Sequence, residues 1–395
     1  MEAVLNSTSA PSSPTETFGA SAAPPCPEWS PLPQTALVPA LYGVICVLGI
    51  VGNALAVYVL AHDGNARRTV ANTFMLNLCV SDLLVLLSLP LWAVYYALGF
   101  RWPFGRFACK LCGGLLHLNL YASIFFIMCM SMDRYLAIVH PLRSQGARDP
   151  GRARVACALV WALACLCTAP TLVFRDTHLF EGLGVEVCAM LYPSRYWYLG
   201  LAWMKIALAF LLPLVVILSC YCVIGRHLLL AGLWIRRRRS PGWSAAGAGA
   251  GADAGAGGVS LEGRGLERVL WTVVAVVLAF FFCWFPFHLL TLLDVLGSHG
   301  LLAGCWLDWS TANLTALALC VGFSNSAVNP VLYCFIGNHF RGRLGGLCKG
   351  LCACLRPRGG ESSGPATRGS FSTRLSSFSR KLSDLKDLVE TQGLH

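Results

Sequence analysis

The sequence predicts an all-α fold, a bundle of seven transmembrane helices followed by a short amphipathic eighth helix. Of the 395 residues, 56% are hydrophobic and only 12% are charged, and the mean hydropathy of +0.62 is too high for an ordinary soluble domain. Seven apolar stretches each reach about 20 residues or more, the length of a membrane-crossing helix. Basic residues lie mainly between these stretches, so the formal charge of +11 reflects membrane topology and not nucleic-acid binding.

The first 36 residues predict a disordered extracellular tail. They are rich in Ser, Thr, Pro and Ala and show no charged stretch followed by an apolar core, so we expect no cleaved signal peptide. Asn6 opens an Asn-Ser-Thr triplet, which is the acceptor pattern for N-glycosylation but also arises by chance.

The seven spans fill residues 37–336, and basic residues predict their orientation. The spans cover approximately 37–62, 69–98, 106–139, 153–174, 196–231, 265–297 and 309–336. Arginines at 67–68, 143–154 and 236–239 follow the first, third and fifth spans, whereas acidic residues dilute the arginines of the alternate connections. The positive-inside rule therefore predicts an extracellular N-terminus and a cytoplasmic C-terminus.

Three segments beyond the spans have distinct compositions. The inner connection at about 240–262 contains an Ala/Gly run that predicts a disordered insert. Residues 337–350 mix apolar and basic residues and predict an amphipathic helix on the inner leaflet, ahead of a cytoplasmic tail at 351–395. Three cysteines are candidates for reversible palmitoylation or are simply reduced thiols: Cys348, Cys352 and Cys354.

Short motifs in the spans carry a family resemblance. They are Asn53, Asp82, Asp133-Arg134-Tyr135, Trp161, Pro213, Cys283-Trp284-Phe285-Pro286 and Asn329-Pro330-Val331-Leu332-Tyr333. Together and in this order they resemble the rhodopsin-like (class A) G-protein-coupled receptors. Longer stretches are most similar to the angiotensin receptors of the peptide-receptor branch, the type-2 receptor in particular: PLWAVYY (90–96), FRDTHLFEGLGVEVCAM (174–190) and WMKIALAFLLPL (203–214). Apelin, bradykinin and relaxin-type receptors share several of these features.

The resemblance implies a plasma-membrane receptor for a small, angiotensin-like peptide hormone, which couples to heterotrimeric G proteins and arrestin and has no enzymatic activity. A receptor for another peptide (apelin, bradykinin or relaxin-like) is one alternative, and a decoy receptor that binds without signalling is another. A secondary transporter is disfavoured because the sequence shows no internal repeats. An intramembrane enzyme is disfavoured because Asp82 has no catalytic partner within the spans.

Two basic residues near the outer ends of the spans are the predicted ligand contacts. Lys205 is a cation in an apolar stretch, so a ligand carboxylate would offset its desolvation, unless the side chain extends to the membrane interface. The resemblance implies that Lys205 and Arg175 receive a peptide's C-terminal carboxylate, that Asp294 meets a basic residue of the peptide, and that aromatic residues form the floor: Trp92, Tyr95, Trp284 and Phe323.

The chain departs from the angiotensin receptors at the start of the seventh span. Those receptors carry a further Asp where this chain has Ala312. Asp308, one turn earlier, is a possible substitute, and the alternative is that the preferred peptide lacks the corresponding basic residue.

Asp82 predicts a polar cluster inside the bundle. An ionised carboxylate at the centre of a span costs about 2.5–3.5 kcal/mol on insertion scales, so Asp82 needs partners. Oxygen-rich surroundings with one carboxylate suit a small hard cation. The resemblance implies an allosteric Na⁺ that stabilises the resting state, with a hydrated polar network as the alternative. The candidate partners on neighbouring spans are Asn53, Asn119, Ser123, Asn325 and Asn329.

The resemblance also assigns activation roles. Asp133 would hold Arg134 at rest, beside Tyr135, and Tyr221 and Tyr333 would approach Arg134 on activation. Trp284 would act as a rotamer switch, although a single Trp is also common as core filler. Pro286 and Pro330 remove backbone hydrogen bonds within helices and predict bends, the latter next to Asn329.

Four cysteines fall in the predicted outer segments, Cys26, Cys109, Cys188 and Cys305. Four cysteines allow three pairings. The family pattern implies a Cys109–Cys188 disulfide, which leaves Cys26 to pair with Cys305.

The cytoplasmic tail contains an apolar stripe over residues 372–390, formed by Leu375, Phe378, Leu382, Leu385 and Val389. Basic residues and several Ser and Thr residues lie between these positions. We expect a helix on the anionic inner leaflet that phosphorylation by a receptor kinase releases to arrestin. The alternative is a disordered tail whose spacing is accidental.

Overall fold

The structure is a computed structural model that describes residues 30–62, 69–144, 149–180, 184–238 and 256–336. The predictions for Asn6, Cys26, the eighth helix, the palmitoylation candidates and the tail therefore fall wholly outside the described residues. The disordered insert predicted at about 240–262 lies partly outside them, but the chain is helical from Ala256, so the prediction was wrong for residues 256–262. The helices are Gln34–His62, Val70–Leu86, Leu89–Ala97, Gly105–Val139, Pro141–Ser144, Pro150–Phe174, Arg195–Ile206, Leu212–Arg238, Ala256–Ser298 and Cys305–Ile336.

Seven helical regions in this described part are long and apolar enough to cross a membrane, which agrees with the seven predicted spans. We number them first to seventh: Gln34–Ala61, Val70–Ala97, Gly105–Val139, Pro150–Phe174, Arg195–Leu230, Val273–Ser298 and Cys305–Leu332. The fold is a bundle of seven transmembrane helices.

The third span is the central element of the bundle. It packs against the second, fourth, fifth and sixth spans, and it is the most deeply buried of the seven. Leu120, Ile124 and Ile127 recur at spacings of three and four and are almost completely buried. Their burial follows from the helical period, which places such residues on one face.

Prolines coincide with irregular helical geometry in the second and fifth spans. The second span is interrupted between Leu86 and Leu89, just before Pro90, which has no N–H to donate. In the fifth span, a π-helical turn at Ala207–Leu211 precedes Pro213. The π-helical turn was not predicted from the sequence. The sixth and seventh spans continue as helices through Pro286 and Pro330.

An antiparallel hairpin follows the fourth span and adds two strands to the predicted all-helical architecture. Strand β1 is Arg175–Phe180 and strand β2 is Val185–Met190, with Thr177 opposite Cys188 in the register. Gly184, at φ +61°, occupies the turn, where a side chain would be strained. A disulfide joins Cys188 to Cys109 at the start of the third span, with a Cα–Cα distance of 5.6 Å.

Charged contacts hold the hairpin against the third span as well. The guanidinium of Arg106 lies 2.6 Å from a carboxylate oxygen of Asp176, and the Lys110 ammonium lies 3.6 Å from the same oxygen. Lys110 also donates a hydrogen bond to the carbonyl of Leu172, at the C-terminal end of the fourth span. Desolvation raises the pKa of Asp176, but the hydrogen bonds from Arg106 and the Thr177 amide and the Lys110 charge lower it more, below its usual value.

Cys305, at the first residue of the seventh span, is also disulfide-bonded. We predict that non-reducing peptide mapping of the full-length protein will recover two disulfide-linked pairs, Cys109–Cys188 and Cys26–Cys305. The physical reason is that an oxidising outer face converts outward cysteines in reach of each other to disulfides. Recovery of Cys26 as a free thiol, or joined to Cys188, would contradict this pairing.

Candidate functional site

A cavity of about 500 Å³ lies among the hairpin, residues 31–35 and the spans. Its lining includes six of the seven residues predicted as ligand contacts: Arg175, Lys205, Trp92, Tyr95, Trp284 and Asp294. The seventh, Phe323, is completely buried and is not among the described residues that line the cavity. Its ring packs against Trp284 and Tyr42, at centroid distances of 5.9 and 5.8 Å, so Phe323 supports the wall from behind.

Arg175 is positioned by the hairpin, the disulfide and the third span. Its Nε donates to the Sγ of Cys188 at 3.3 Å, and its guanidinium carbon lies 4.8 Å from the centroid of the Trp92 ring, a cation–π contact. Gly113 makes room for this side chain, since a Cβ at that position would overlap the Arg175 Cδ. Among the described residues, no carboxylate pairs with Arg175.

Lys205 enters the cavity from the outer half of the fifth span. Its Nζ lies 5.3 Å from the centroid of the Phe287 ring. Within the described part of the chain it has neither an ion pair nor a hydrogen bond. Two cations, Lys205 and Arg175, thus reach an aromatic cavity in which aromatic faces offset only part of their desolvation.

The cavity offers a ligand less acidic surface than the sequence predicted. Asp294 lines the cavity, but it accepts a short hydrogen bond from the hydroxyl of Tyr198. Ala312 and Asn313 line the cavity at the start of the seventh span, whereas Asp308 is exposed and is not among the described lining residues. In the described structure Asp308 therefore lies off the cavity wall.

Several lining residues were missed from the sequence, namely Gln34, His117, Tyr198 and Asn313. His117 had a usable signal in the sequence, because it is a polar residue in the apolar third span, one turn from Gly113. Its Nδ1 lies 3.0 Å from the Gly113 carbonyl. Gln34, Tyr198 and Asn313 gave no comparable signal, because their partners are distant in the sequence.

Asp82 is completely buried and accepts three hydrogen bonds. Its Oδ1 accepts from Asn119 Nδ2 at 3.0 Å and from Ser326 Oγ at 2.8 Å, and its Oδ2 accepts from Asn329 Nδ2 at 3.0 Å. Ser123 lies 3.1 Å from the same Asn119 nitrogen. The cluster therefore joins the second, third and seventh spans, and Ser326 is a member that the sequence analysis missed.

The oxygen atoms of this cluster fit a hard cation. The Oδ1 atoms of Asn53, Asn325 and Asn329 are buried without a hydrogen-bond partner among the described residues. In the same part of the chain, no group of three or more His, Cys, Asp or Glu side chains could hold a metal. A cation here would thus be held by Asp82 and neutral oxygens, which suits Na⁺ better than a transition metal.

The third-span residues that were predicted to act in activation lie near the C-terminal end of that span. Asp133 and Arg134 form a short ion pair, with side-chain exposures of only 3% and 6%. Tyr135 lies 3.2 Å from the Nε2 of His140. Tyr221 is half-buried on the fifth span, and the side chain of Tyr333 lies outside the described residues.

Trp284 sits between the cavity and the interior of the bundle. Its ring is 1% exposed and contacts the rings of Phe280, Phe287 and Phe323. Gly322 faces it from the seventh span, where a Cβ would lie 2.8 Å from the Trp284 Cζ3. The close approach of the sixth and seventh spans at this level thus depends on a missing side chain.

Comparison with known proteins shows sequence similarity over most of the chain. The family described as 7 transmembrane receptor (rhodopsin family) matches residues 52–333. The human type-2 angiotensin II receptor is 39% identical over 310 residues, 78% of this chain and 78% of that receptor. The type-1 angiotensin II receptor A of Xenopus laevis is 34% identical over 351 residues, 88% of this chain and 86% of that receptor.

The structure combines a seven-helix bundle, a cavity lined by Cys188 of the Cys109–Cys188 disulfide and a buried Asp133–Arg134 pair. The chain belongs to the rhodopsin family of seven-transmembrane receptors. It is a multi-pass membrane protein, and the sheep type-1 angiotensin II receptor is a further relative, 36% identical over 307 residues, 77% of this chain and 78% of that receptor.

We predict that Gly322→Ala destabilises the receptor by about 1–3 kcal/mol, the usual cost of overpacking a tight core. The added methyl group meets the Trp284 ring, which cannot move easily among its aromatic neighbours. The thermal unfolding midpoint in detergent, followed with a thiol-reactive dye, measures this effect.

Gly43→Ala is the matched control. It makes the same change inside a helix, but its Cβ meets nothing within 4 Å. A midpoint for Gly322→Ala equal to or above that of Gly43→Ala would contradict the prediction.

Proposed function

We propose that this protein is a plasma-membrane receptor for a short peptide hormone whose C-terminal carboxylate binds Lys205 and Arg175. The observation that carries the proposal is the pair of cations facing one aromatic cavity without a carboxylate partner among the described residues. A ligand carboxylate would supply the missing countercharge, and removal of one partner from a desolvated pair costs about 2–5 kcal/mol.

The chemistry of the cavity favours an angiotensin-like peptide. The relatives of this chain include receptors named for angiotensin II. The wall formed by Trp92, Tyr95 and Trp284 suits an aromatic or apolar peptide residue next to the carboxylate. Ala312 and the engaged Asp294 favour a different member of the peptide class over angiotensin II itself, because the basic residue of such a peptide finds less acidic surface here.

The disulfide-linked hairpin supports an extracellular cavity. Disulfides form and persist in oxidising compartments, and Cys109 begins the third span that ends near Asp133 and Arg134. A helix rises about 1.5 Å per residue, so the roughly 25 residues between these positions reach across a bilayer. This arrangement supports an extracellular N-terminus and a cytoplasmic position for Arg134.

The buried Asp133–Arg134 pair supports coupling to heterotrimeric G proteins. A desolvated Arg held by its neighbour represents a resting state, and an activating ligand would shift the population toward a state in which Arg134 is released to the G protein. Binding of arrestin, action of a receptor kinase and lipid contacts of the tail belong to the same proposal.

We predict that Lys205→Ala weakens carboxylate-ended, angiotensin-like octapeptides with an aromatic last residue by about 2–5 kcal/mol, but weakens their C-terminal amides far less. The reason is that an amide has already lost the charge that Lys205 would pair with. Competition binding to membranes measures both affinities, and Arg101→Ala is the control, since Arg101 is exposed and is not a described lining residue.

Equal losses for acid and amide would show that Lys205 does not receive the carboxylate. Peptide-stimulated nucleotide exchange on a panel of G proteins completes the test. Binding that persists without exchange on any G protein would identify a decoy receptor.

We also propose that the Asp82 cluster holds Na⁺ in the resting state, a proposal supported by the buried Oδ1 of Asn329, which has no hydrogen-bond partner among the described residues although the same amide donates to Asp82. A cation stabilises the resting state only by binding it more tightly than the active state. Sodium should therefore lower agonist affinity.

We predict that Asp82→Asn abolishes the sodium dependence of agonist affinity and impairs nucleotide exchange, because the change removes the charge that binds the ion. A sodium titration of agonist binding, with N-methylglucamine replacing sodium at constant ionic strength, measures the effect. Asp308→Asn is the control, as Asp308 is exposed. An unmutated receptor whose agonist affinity ignores sodium would favour a hydrated network instead.

A further inference from the structure

The segment Pro31–Thr35, which we call the strap, leads into the first span, includes its first two residues and forms part of the cavity wall. Four of its residues line the cavity: Pro31, Leu32, Gln34 and Thr35. It is hydrogen-bonded to the seventh span at three points. The Leu32 amide donates to Asn313 Oδ1 at 3.2 Å, and Gln34 Nε2 donates to the carbonyls of Ala312 and Asn313 at 3.2 and 3.1 Å.

These contacts occupy the polar groups of the seventh span at this wall. The Oδ1 of Asn313 accepts from the strap, and its Nδ2 donates to the Trp309 carbonyl at 2.9 Å. The carbonyls of Ala312 and Asn313 accept from Gln34, so they are covered by the strap. At the residues that the strap contacts, the group left open to a ligand is the Ala312 methyl, beside the apolar side chains of Pro31 and Leu32.

A cationic side chain against this wall would lose water without gaining a carboxylate. Its desolvation would cost several kcal/mol, and Asn313 Oδ1 and the carbonyls of Ala312 and Asn313 already accept hydrogen bonds from the strap. An uncharged side chain has no such cost and gains apolar contact. The cavity is therefore charged asymmetrically, with cations on the side of Lys205 and Arg175 and a neutral wall at Ala312.

We propose that the strap and Ala312 determine ligand specificity: Gln34 and Asn313 hold the strap over the seventh span, and the site selects carboxylate-ended peptides whose residue facing Ala312 is uncharged. The ligand half of this inference rests on the proposed peptide function. The claim that Gln34 and Asn313 hold the strap does not rest on that function, and a ligand-free measurement tests it separately.

The ligand-free test measures how well the strap covers residue 312. Ala312→Cys is introduced into the full-length receptor, and its rate of reaction with a methanethiosulfonate reagent is compared with and without Gln34→Ala, after subtracting the labelling of the receptor that retains Ala312. We expect Gln34→Ala to raise the rate at least tenfold. Thr35→Ala is the matched control, since Thr35 lines the cavity but makes no hydrogen bond to the seventh span in the described part of the chain.

A Gln34→Ala rate equal to the Thr35→Ala rate would overturn the assignment of the strap. A raised rate in both variants would show that any strap substitution loosens the cover, which also contradicts the specific role of Gln34.

The ligand test uses octapeptides with a free carboxylate and an aromatic last residue, in which each of the first four positions carries either Arg or norleucine. Binding is measured to Asp294→Asn, so that the acid at Asp294 makes no contribution. We expect Arg and norleucine peptides to bind within threefold of each other at every position. Adding Ala312→Asp should create a preference for Arg of at least tenfold at one position or more.

A tenfold preference for Arg in Asp294→Asn, with Ala312 retained, would overturn the neutral-wall assignment, and so would the absence of any Arg preference after Ala312→Asp. If no peptide of the series binds any of these receptors, the proposed peptide function fails, and the labelling rates still decide whether Gln34 holds the strap.

Discussion

The cost of burying charge in a low-dielectric bundle governs the arrangement of this receptor. Asp82 is surrounded by three donors from two other spans, and Arg134 pairs with its neighbour Asp133. Both follow the rule that an ionisable group inside a membrane protein requires a partner. Lys205 and Arg175 line the cavity without such a partner in the described part of the chain, because their contacts are aromatic faces and one sulfur atom. An unmet electrostatic requirement is therefore the clearest mark of where a ligand binds.

The third span connects these regions because it bears small or polar residues at each level. Gly113 makes room for Arg175 near the outer end, Asn119 reaches Asp82 in the middle, and Asp133 holds Arg134 at the opposite end. The remaining surface of the span is largely apolar and buried, so its position in the bundle is fixed by packing. Groups with different chemistry are thereby held on one rigid helix.

Much of the fold could be predicted from the sequence because length and apolarity alone determine a membrane span. The Asp82 partners on the third span followed from helical spacing, and most ligand residues followed from family motifs. The hairpin was missed because two six-residue strands give a weak local signal and depend on a disulfide and ion pairs for their position. Phe323 was misplaced for a related reason. A motif locates a residue along a helix but does not show whether its ring lines the cavity or, as here, packs against Trp284 and Tyr42.

The contacts of the strap lie beyond any local pattern, since Gln34 and Asn313 are 279 residues apart in the sequence. Residues that share a hydrogen-bond network generally show non-additive mutational effects. The effects of substitutions at the two positions should accordingly be coupled, so that a substitution at either position changes which residues are tolerated at the other. Epistasis of this kind would let natural variants alter ligand preference at the rim of the cavity while Lys205, Arg175 and the aromatic floor stay the same.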